Sequence, residues 1–568
     1  MKRFAIGFVI GLIFAGIIVV ILAFAAMRFG ERKVTVADGS TLVLHMEGDM
    51  PEQPPVELPI PFLEQQQPMT LIETWQLLRT AASDSRIKAL VLEPRDLSGI
   101  GWAKMQELHD EVLNFKKSGK PVYAYLRGPG AREYYVATAA DKIYMAPEDE
   151  LDLKGVRAQI LYFKGTLDKL GVQMEFQHVG KYKDAPDEFT KTGPSPETIE
   201  TTNEMLDQFY GNLVQVIADG RKKTPDQIKA ALDNGPFVGK ETIDNGFVDE
   251  LAFEDEVFGR LKTQLNIEIK RIGGDDYAKA AVTGSNSGTK IAYVAGAGDI
   301  TRGSTHESAT DNGITATAMV KLLRQVENDN SIKAVIFRID SPGGDGIASD
   351  DILHAAKQLA TKKPMIISMS DLAASGGYFI AMTGNPIIAY PNTLTGSIGV
   401  FFGKPNLKGL FDKLGISQAV LQRGKFADID DPARPLTPEE SAKLQRELEV
   451  FYRNFVELVS TARKRAYDQV EPLAQGRVWL GEQAKQNGLV DELGGIDRAV
   501  EMIKQKANIP ASEKVQLVVY PPKRSVWDIV FSRSDENAAI EMLVGKRLPL
   551  SMLRGGILTR LPYQIDFK

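Results

Sequence analysis

The chain has 568 residues, 43% hydrophobic and 25% charged, with 74 acidic against 68 basic residues, a formal net charge of −6 and no cysteine. That length exceeds one ordinary core and calls for two domains of about 200 residues each. The weak negative charge argues against nucleic acid as a partner, which needs clustered Lys and Arg. The missing cysteines exclude disulfides, thiol catalysis and zinc–thiolate sites.

Ala5–Met27 is a run of 23 uncharged, mostly apolar residues. At about 1.5 Å per residue it spans a hydrocarbon layer of about 30 Å. Residues 1–32 therefore read as an N-terminal membrane anchor, one transmembrane helix. A cleaved signal peptide is the alternative, because Ala23-Phe24-Ala25 resembles a cleavage site; its apolar region would usually run only about 7–15 residues. Lys2 and Arg3 precede the run and Arg28, Arg32 and Lys33 follow it, so charge alone does not orient it. Residues 33–48 read as a strand pair, VTV and TLVLHM around a turn at Asp38-Gly39. Residues 51–68, with six prolines and three consecutive glutamines, read as a loop.

From there the chain repeats itself. IKAL at 87–90 returns as IKAV at 332–335, VGKYKDAPDE at 179–188 as RGKFADIDDP at 423–432, and NGFVDEL at 245–251 as NGLVDEL at 487–493. The offsets are 245 (332 against 87), 244 (423 against 179) and 242 (487 against 245). We place an N-terminal repeat at 33–272, a Gly/Asp/Ser-rich linker at 273–289, a C-terminal repeat at 290–510 and an extension at 511–568 in which VQLVVY, 515–520, reads as a strand. In the C-terminal repeat, KIAYVAG, AVIFRID, PMIISM and PIIAY are short apolar runs separated by loops and helical patterns. That alternation predicts an α/β domain with mainly parallel strands, whose functional loops lie at the carboxyl ends of those strands.

Two of these loops, SPGG at 341–344 and ASGG at 374–377, each read as following a strand and opening a helix. Glycine allows close backbone approach to a ligand, and a helix N-terminus offers unpaired N–H donors. Ser375 is the candidate nucleophile. The N–H of Gly376, with that of Gly343 or Gly344 and preferably Gly344, would form an oxyanion hole. Taken singly, SPGG is also a plain tight turn and Ser375 a plain N-cap. Of the five histidines, His45, His109, His178, His306 and His354, none follows Ser375, and His354 reads as a packed or surface residue. The duplication supplies another base. At an offset of 244, Ser375 stands opposite Ala131 and Lys183 opposite Ala427. Each repeat keeps one polar group where the other has alanine, which is expected if one contributes the nucleophile and the other, through Lys183, the base of a Ser–Lys dyad.

The motifs DSPGGDG at 340–346, SMSDLAASGGYFIA at 368–381, TLTGSIGVF at 393–401 and VGKYKDA at 179–185 resemble those of the signal peptide peptidase A family in its long, duplicated form, also called protease IV. The resemblance covers most of the chain and is weakest at 49–70 and after about 510. It implies tandem crotonase/ClpP-like α/β domains and a membrane-bound serine endopeptidase with Ser375 as nucleophile and Lys183 as base. It also implies that Ser397, in TGSIG, orients the lysine. The implied substrates are cleaved signal peptides and other apolar peptides, cut outside the bacterial cytoplasmic membrane by a membrane-lipid-associated homotetramer. No cofactor and no metal are expected. Two rivals remain: an acyl-CoA-handling enzyme of the same fold, and a catalytically inactive membrane scaffold.

Overall fold

A computed structural model describes residues 34–54, 68–281, 288–303, 313–523, 557–560 and 566–567. The expected anchor at 1–32 lies outside the described residues, and no helix among them is long and apolar enough to cross a membrane.

The N-terminal repeat contributes strands β1 (Ser40–Glu47), β2 (Ile87–Arg95), β3 (Val122–Leu126), β4 (Lys142–Met145), β5 (Gln173–Val179), β6 (Glu250–Leu251) and β7 (Lys270–Gly273). All but β5 form one sheet in the order β7-β1-β2-β3-β4-β6, parallel throughout. Helices α1 (Trp102–Lys116), α2 (Ala131–Ala137) and α3 (Pro196–Arg221) belong to the same repeat. Near-continuous burial of strands such as β2 is what helices on both faces of a parallel sheet require.

The C-terminal repeat contributes β8 (Thr289–Ala297), β9 (Ile332–Ser341), β10 (Gly343–Asp345), β11 (Met365–Ala374), β12 (Leu394–Gly396), β13 (Val400–Asn406) and β14 (Val478–Leu480), followed by β15 (Val515–Tyr520) and β16 (Ile557–Arg560). Its main sheet runs β14-β12-β11-β9-β8-β15, parallel except between β14 and β12. Helices α4 (Gly346–Lys362), α5 (Gly376–Ala381) and α6 (Pro438–Arg463) accompany it. Helices α3 and α6 are copies: each has 26 residues, a hydroxyl N-cap (Ser195, Thr437), proline in the first turn and a left-handed lysine at the C-cap. Tyr134 and Tyr378, 244 apart, each donate a hydroxyl hydrogen bond to a backbone oxygen of their own repeat, Phe247 at 2.7 Å and Leu489 at 2.8 Å.

Three expectations change. The strand pair at 33–48 is a single strand, because 34–37 is irregular and Asp38-Gly39 only turns into β1, which then pairs parallel with β2 and β7. The SPGG loop does not open a helix directly: Gly343–Asp345 forms β10, and α4 starts after Asp345, whose carboxylate accepts from Ile347 and Ala348 N–H at 2.9 Å. The linker is partly structured: Gly274–Ala281 is helical and the Tyr277 hydroxyl lies 3.0 Å from Asp84.

The two repeats share one core, in which Leu44, Leu90 and Ile143 join Tyr293, Ile336 and Ile503. They also share a buried charge cluster. Arg338, on β9 and fully enclosed, reaches Glu52 at 3.1 Å and Glu107 of α1 at 2.8 Å, with Ser368 and Ser370 hydroxyls at 3.0 Å. Burial drives Glu107 up, whereas for Glu52 the burial effect is overcome by Arg338 and Lys104, which hold it down. Lys104 of α1 pairs with Asp340 at 2.8 Å, directly before the SPGG loop.

Candidate active site

Lys183 and Ser375 are 192 residues apart in sequence, yet Lys183 Nζ lies 2.8 Å from Ser375 Oγ within one chain. The juxtaposition comes from a ladder between the repeats. β5 pairs antiparallel with β13, from Gln173 opposite Asn406 to Val179 opposite Val400. An antiparallel pair sends the chain leaving one strand alongside the chain entering the other. Lys183, just beyond β5, therefore meets Ser397, just before β13, with Nζ 3.0 Å from Ser397 Oγ and 3.4 Å from its carbonyl oxygen.

Ser375 sits at the sharp turn from β11 into α5, with φ 55° and ψ −113°. Such a backbone costs about 1–3 kcal/mol for a residue with a Cβ. It is held by its own N–H donating to Gly396 O and by Phe379 N–H donating to its carbonyl, both at 2.8 Å. Its hydroxyl does not cap the helix; the capping alternative from the sequence therefore does not describe it. Gly376 is the first residue of α5, where helical geometry leaves the N–H without an intrahelical acceptor. The SPGG loop lies against this helix start: a Cβ on Gly377 would meet Ser341 O at 2.6 Å. Gly343 N–H already donates to Ser341 Oγ at 3.1 Å. Gly344 has φ 152°, and a Cβ there would come within 2.0 Å of Ile300 O, so only glycine fits that strand position. His354 is exposed on α4.

The amine is enclosed. Ser375 and Ser397 are 0% and Lys183 1% exposed. Burial pulls the Lys183 ammonium down to about 7, against a smaller opposing effect of Asp184. At neutral pH about half of the amine is then uncharged, against roughly one part in a few thousand for a solvated lysine. Burial also lifts Asp184 to about 6, although Thr198 Oγ1 donates to it at 2.5 Å.

No motif in the sequence points to the loop that seats this lysine, because the loop acts through single residues far away in the chain. Gly476, with φ 76°, lies so close that a Cβ would meet Lys183 Cβ at 2.7 Å, and a Cβ on Gly399 would meet Lys183 Cδ at 3.2 Å. The lysine stem thus runs between two glycine backbones. Tyr182 N–H donates to Gln475 O at 2.9 Å, Gly476 N–H to Ile398 O at 2.8 Å and Ser397 N–H to Arg477 O at 2.7 Å. Arg477 reaches back to Glu200 at 2.8 Å, Glu204 at 2.8 Å and the Tyr182 hydroxyl at 2.8 Å, and stacks over Tyr182 and Trp479. Gly476→Ala should displace the amine by a fraction of an ångström or more. A drop of about a hundred-fold in kcat is expected, with KM for a peptide little changed; steady-state kinetics on a fluorogenic peptide measures both.

Comparison with known proteins gives the family. The family model for peptidase family S49 matches residues 114–268 and 357–510, one segment in each repeat. The chloroplastic serine protease SPPA of Arabidopsis thaliana is 36% identical over 461 residues, covering 79% of this chain and 68% of that protein. Protease 4 of Salmonella typhi is 32% identical over 477 residues (81% of this chain, 75% of that one), and Protease 4 of Haemophilus influenzae 31% over 532 residues (89% and 86%). A likeness to a mutant ClpP1 from Listeria monocytogenes covers 37% of this chain and 94% of that one at 18% identity and a TM-score of 0.24, too distant to argue from. With the match reaching into both repeats and relatives aligned over most of its length, the chain belongs to peptidase family S49 and is a serine peptidase.

Proposed function

We propose that the protein is a membrane-anchored endopeptidase that uses Ser375 and Lys183 as a catalytic dyad and degrades cleaved signal peptides and similar apolar peptides. The observation that carries the dyad is the 2.8 Å separation of amine and hydroxyl in a site where burial brings the amine to about 7. Neutral Lys183 accepts the Ser375 proton as Oγ adds to the peptide carbonyl. The N–H groups of Gly376 and Gly344 hold the oxyanion. Lys183 then donates to the leaving amine, and the same lysine activates the water that hydrolyses the acyl-enzyme. Ser397 fixes the direction of Nζ. Anchoring, the signal-peptide substrate, the periplasmic side and the homotetramer rest on family resemblance and on the apolar run at 5–27.

The test is labelling by a fluorophosphonate together with cleavage of casein and of a synthetic signal peptide. We expect Ser375 to be labelled, both substrates to be cut, and Ser375→Ala to do neither. Labelling that persists in Ser375→Ala sinks the assignment.

The pH dependence has a definite sign. The amine works only when neutral, so kcat/KM should rise about ten-fold per unit below pH 7, bend near 7 and level off above it. A flat profile between pH 5.5 and 8.5 would contradict Lys183 as base.

A further inference from the structure

The start of helix α1 is built unlike its copy. In the C-terminal repeat Asp345 caps α4, its carboxylate accepting from Ile347 and Ala348 N–H at 2.9 Å. At the offset of 244, Gly101 stands opposite Asp345 and Lys104 opposite Ala348. Gly101 has no side chain with which to cap α1, and a carboxylate from the other repeat takes that place. Asp371 accepts from Gly101 N–H at 3.1 Å and from Lys104 N–H at 2.8 Å. A Cβ on Gly101 would overlap this carboxylate, so glycine is the residue that admits it. At the same offset Asp371 stands opposite Arg127, which pairs with Asp149 at 2.7 Å instead. The glycine, the lysine and the aspartate therefore each stand on one side of the duplication only.

Asp371 lies in a bulge. Ile339 pairs with Met369 and Ser341 with Ala373, so β9 advances two residues while β11 advances four. A bulge re-aims the strand beyond it and breaks the local ladder. Here Leu372 N–H donates to Asp340 Oδ1 at 3.1 Å, and Thr393 Oγ1 donates to Ser370 O at 2.7 Å. Lys104 Nζ closes the arrangement, 2.8 Å from Asp340 Oδ2 and 3.9 Å from both Asp371 and Glu52. Asp340 directly precedes the SPGG loop, and Leu372 stands three residues before Ser375. One ammonium of the N-terminal repeat thus ties together the two strand ends that deliver Gly344 and Gly376. Its side chain is only 6% exposed. Burial pulls this lysine down as it does Lys183, but Asp340, Glu52 and Asp371 outweigh burial and hold it well above the ordinary lysine range. Lys104 stays charged at neutral pH, so it clamps rather than accepts a proton.

We infer that Lys104 is a positioning residue of the reaction centre: through Asp340 and Asp371 it sets the SPGG loop against Ser375, so that the Gly344 and Gly376 N–H groups converge on the oxyanion. This rests on the peptidase reading above and adds to it a second lysine from the N-terminal repeat. Oxyanion donors act because they are already in place when charge develops on the carbonyl oxygen. A misplacement of about 1 Å can cost about a hundred-fold in rate. The loss of such a clamp is felt in the transition state, while the base and its protonation are left alone.

Steady-state kinetics of the full chain on a fluorogenic peptide from pH 5.5 to 8.5, with urea unfolding of each variant, tests this. In Lys104→Met we expect kcat to fall about thirty-fold and KM to stay within about two-fold. The bend of kcat/KM near pH 7 should remain, because Lys183 is untouched. Methionine strands the Asp340 charge, so a second variant combines Lys104→Met with Asp340→Asn, which relieves that charge and keeps an acceptor for Leu372 N–H. It should recover stability toward urea but not kcat. Lys104→Arg, which keeps the charge, should return to within about three-fold of the unaltered kcat. A double variant with unaltered kcat overturns the inference and leaves the peptidase reading intact. A loss confined to KM, or a bend displaced by about one pH unit, does the same, because Lys104 would then act in substrate binding or on Lys183. Lys104→Arg as slow as Lys104→Met also overturns it, whether or not the double variant regains stability. An unaltered chain that cuts no peptide and takes no fluorophosphonate at Ser375 overturns the peptidase reading and this inference with it.

Discussion

Replacing Lys183 by methionine should abolish peptide cleavage, by about ten-thousand-fold or more in kcat/KM, while leaving the fold as stable as before or more so. Both halves follow from burial. The amine lies 2.8 Å from Ser375 Oγ, placed to take its proton. Methionine keeps most of the volume of the lysine stem between Gly399 and Gly476 and removes the ionisable end. The stability effect depends on pH. The folded pKa, about 7, is depressed from 10.5, so between those values the unfolded chain holds a proton that the folded chain has lost. Stability of the unaltered protein therefore rises as pH climbs from 7 toward 10.5. The gain from methionine should be largest at pH 7 and below and shrink above it. Urea unfolding at pH 6.5 and 9.5 reads the difference; an equal effect at both would mean that the lysine is not buried as described.

The second large effect should come from Arg338→Leu. Arg338 is fully enclosed between Glu52 and Glu107. Removing it leaves two buried carboxylates with, among the described residues, only Lys104, 3.9 Å from Glu52, as a countercharge and none against Glu107, which costs about 3–5 kcal/mol. Because Glu52 and Glu107 belong to the N-terminal half and Arg338 to β9, the loss should loosen the contact between repeats rather than melt one of them. Activity should fall too, since β9 runs straight into the SPGG loop. Adding Glu52→Gln and Glu107→Gln to Arg338→Leu should recover part of the lost stability, because the cost lies in the stranded charges. Denaturant unfolding of the single and triple variants measures this. A triple variant less stable than Arg338→Leu would show that size and packing, not charge, set the effect.

Much of the site was legible in the sequence because duplication leaves an internal control. Ala131 and Ala427 mark where each repeat gave up a group, and their partners Ser375 and Lys183 stand in contact in the folded chain. The strand at 515–520 was legible from its apolar run and joins the sheet beside β8, although its place there lies past the boundary drawn at 510. What the pattern missed was tertiary. Val34 and Val36 alternate like a strand, but the pairing that would make them one goes instead to β1. Gly476 and Arg477 carry no motif; their importance lies in packing against a segment almost three hundred residues earlier. The role of β10 as a strand was masked by its two glycines, which sequence reading treats as a turn; the fold uses Gly344 for close backbone contact with Ile300.

The ladder between β5 and β13 has an evolutionary consequence. The proposed reaction centre is assembled from opposite halves of the duplication, Lys183 from one and Ser375 from the other. Neither half can now drift, be lost or be exchanged without the other, for a gene fragment encoding only one of them would specify a fold with half a reaction.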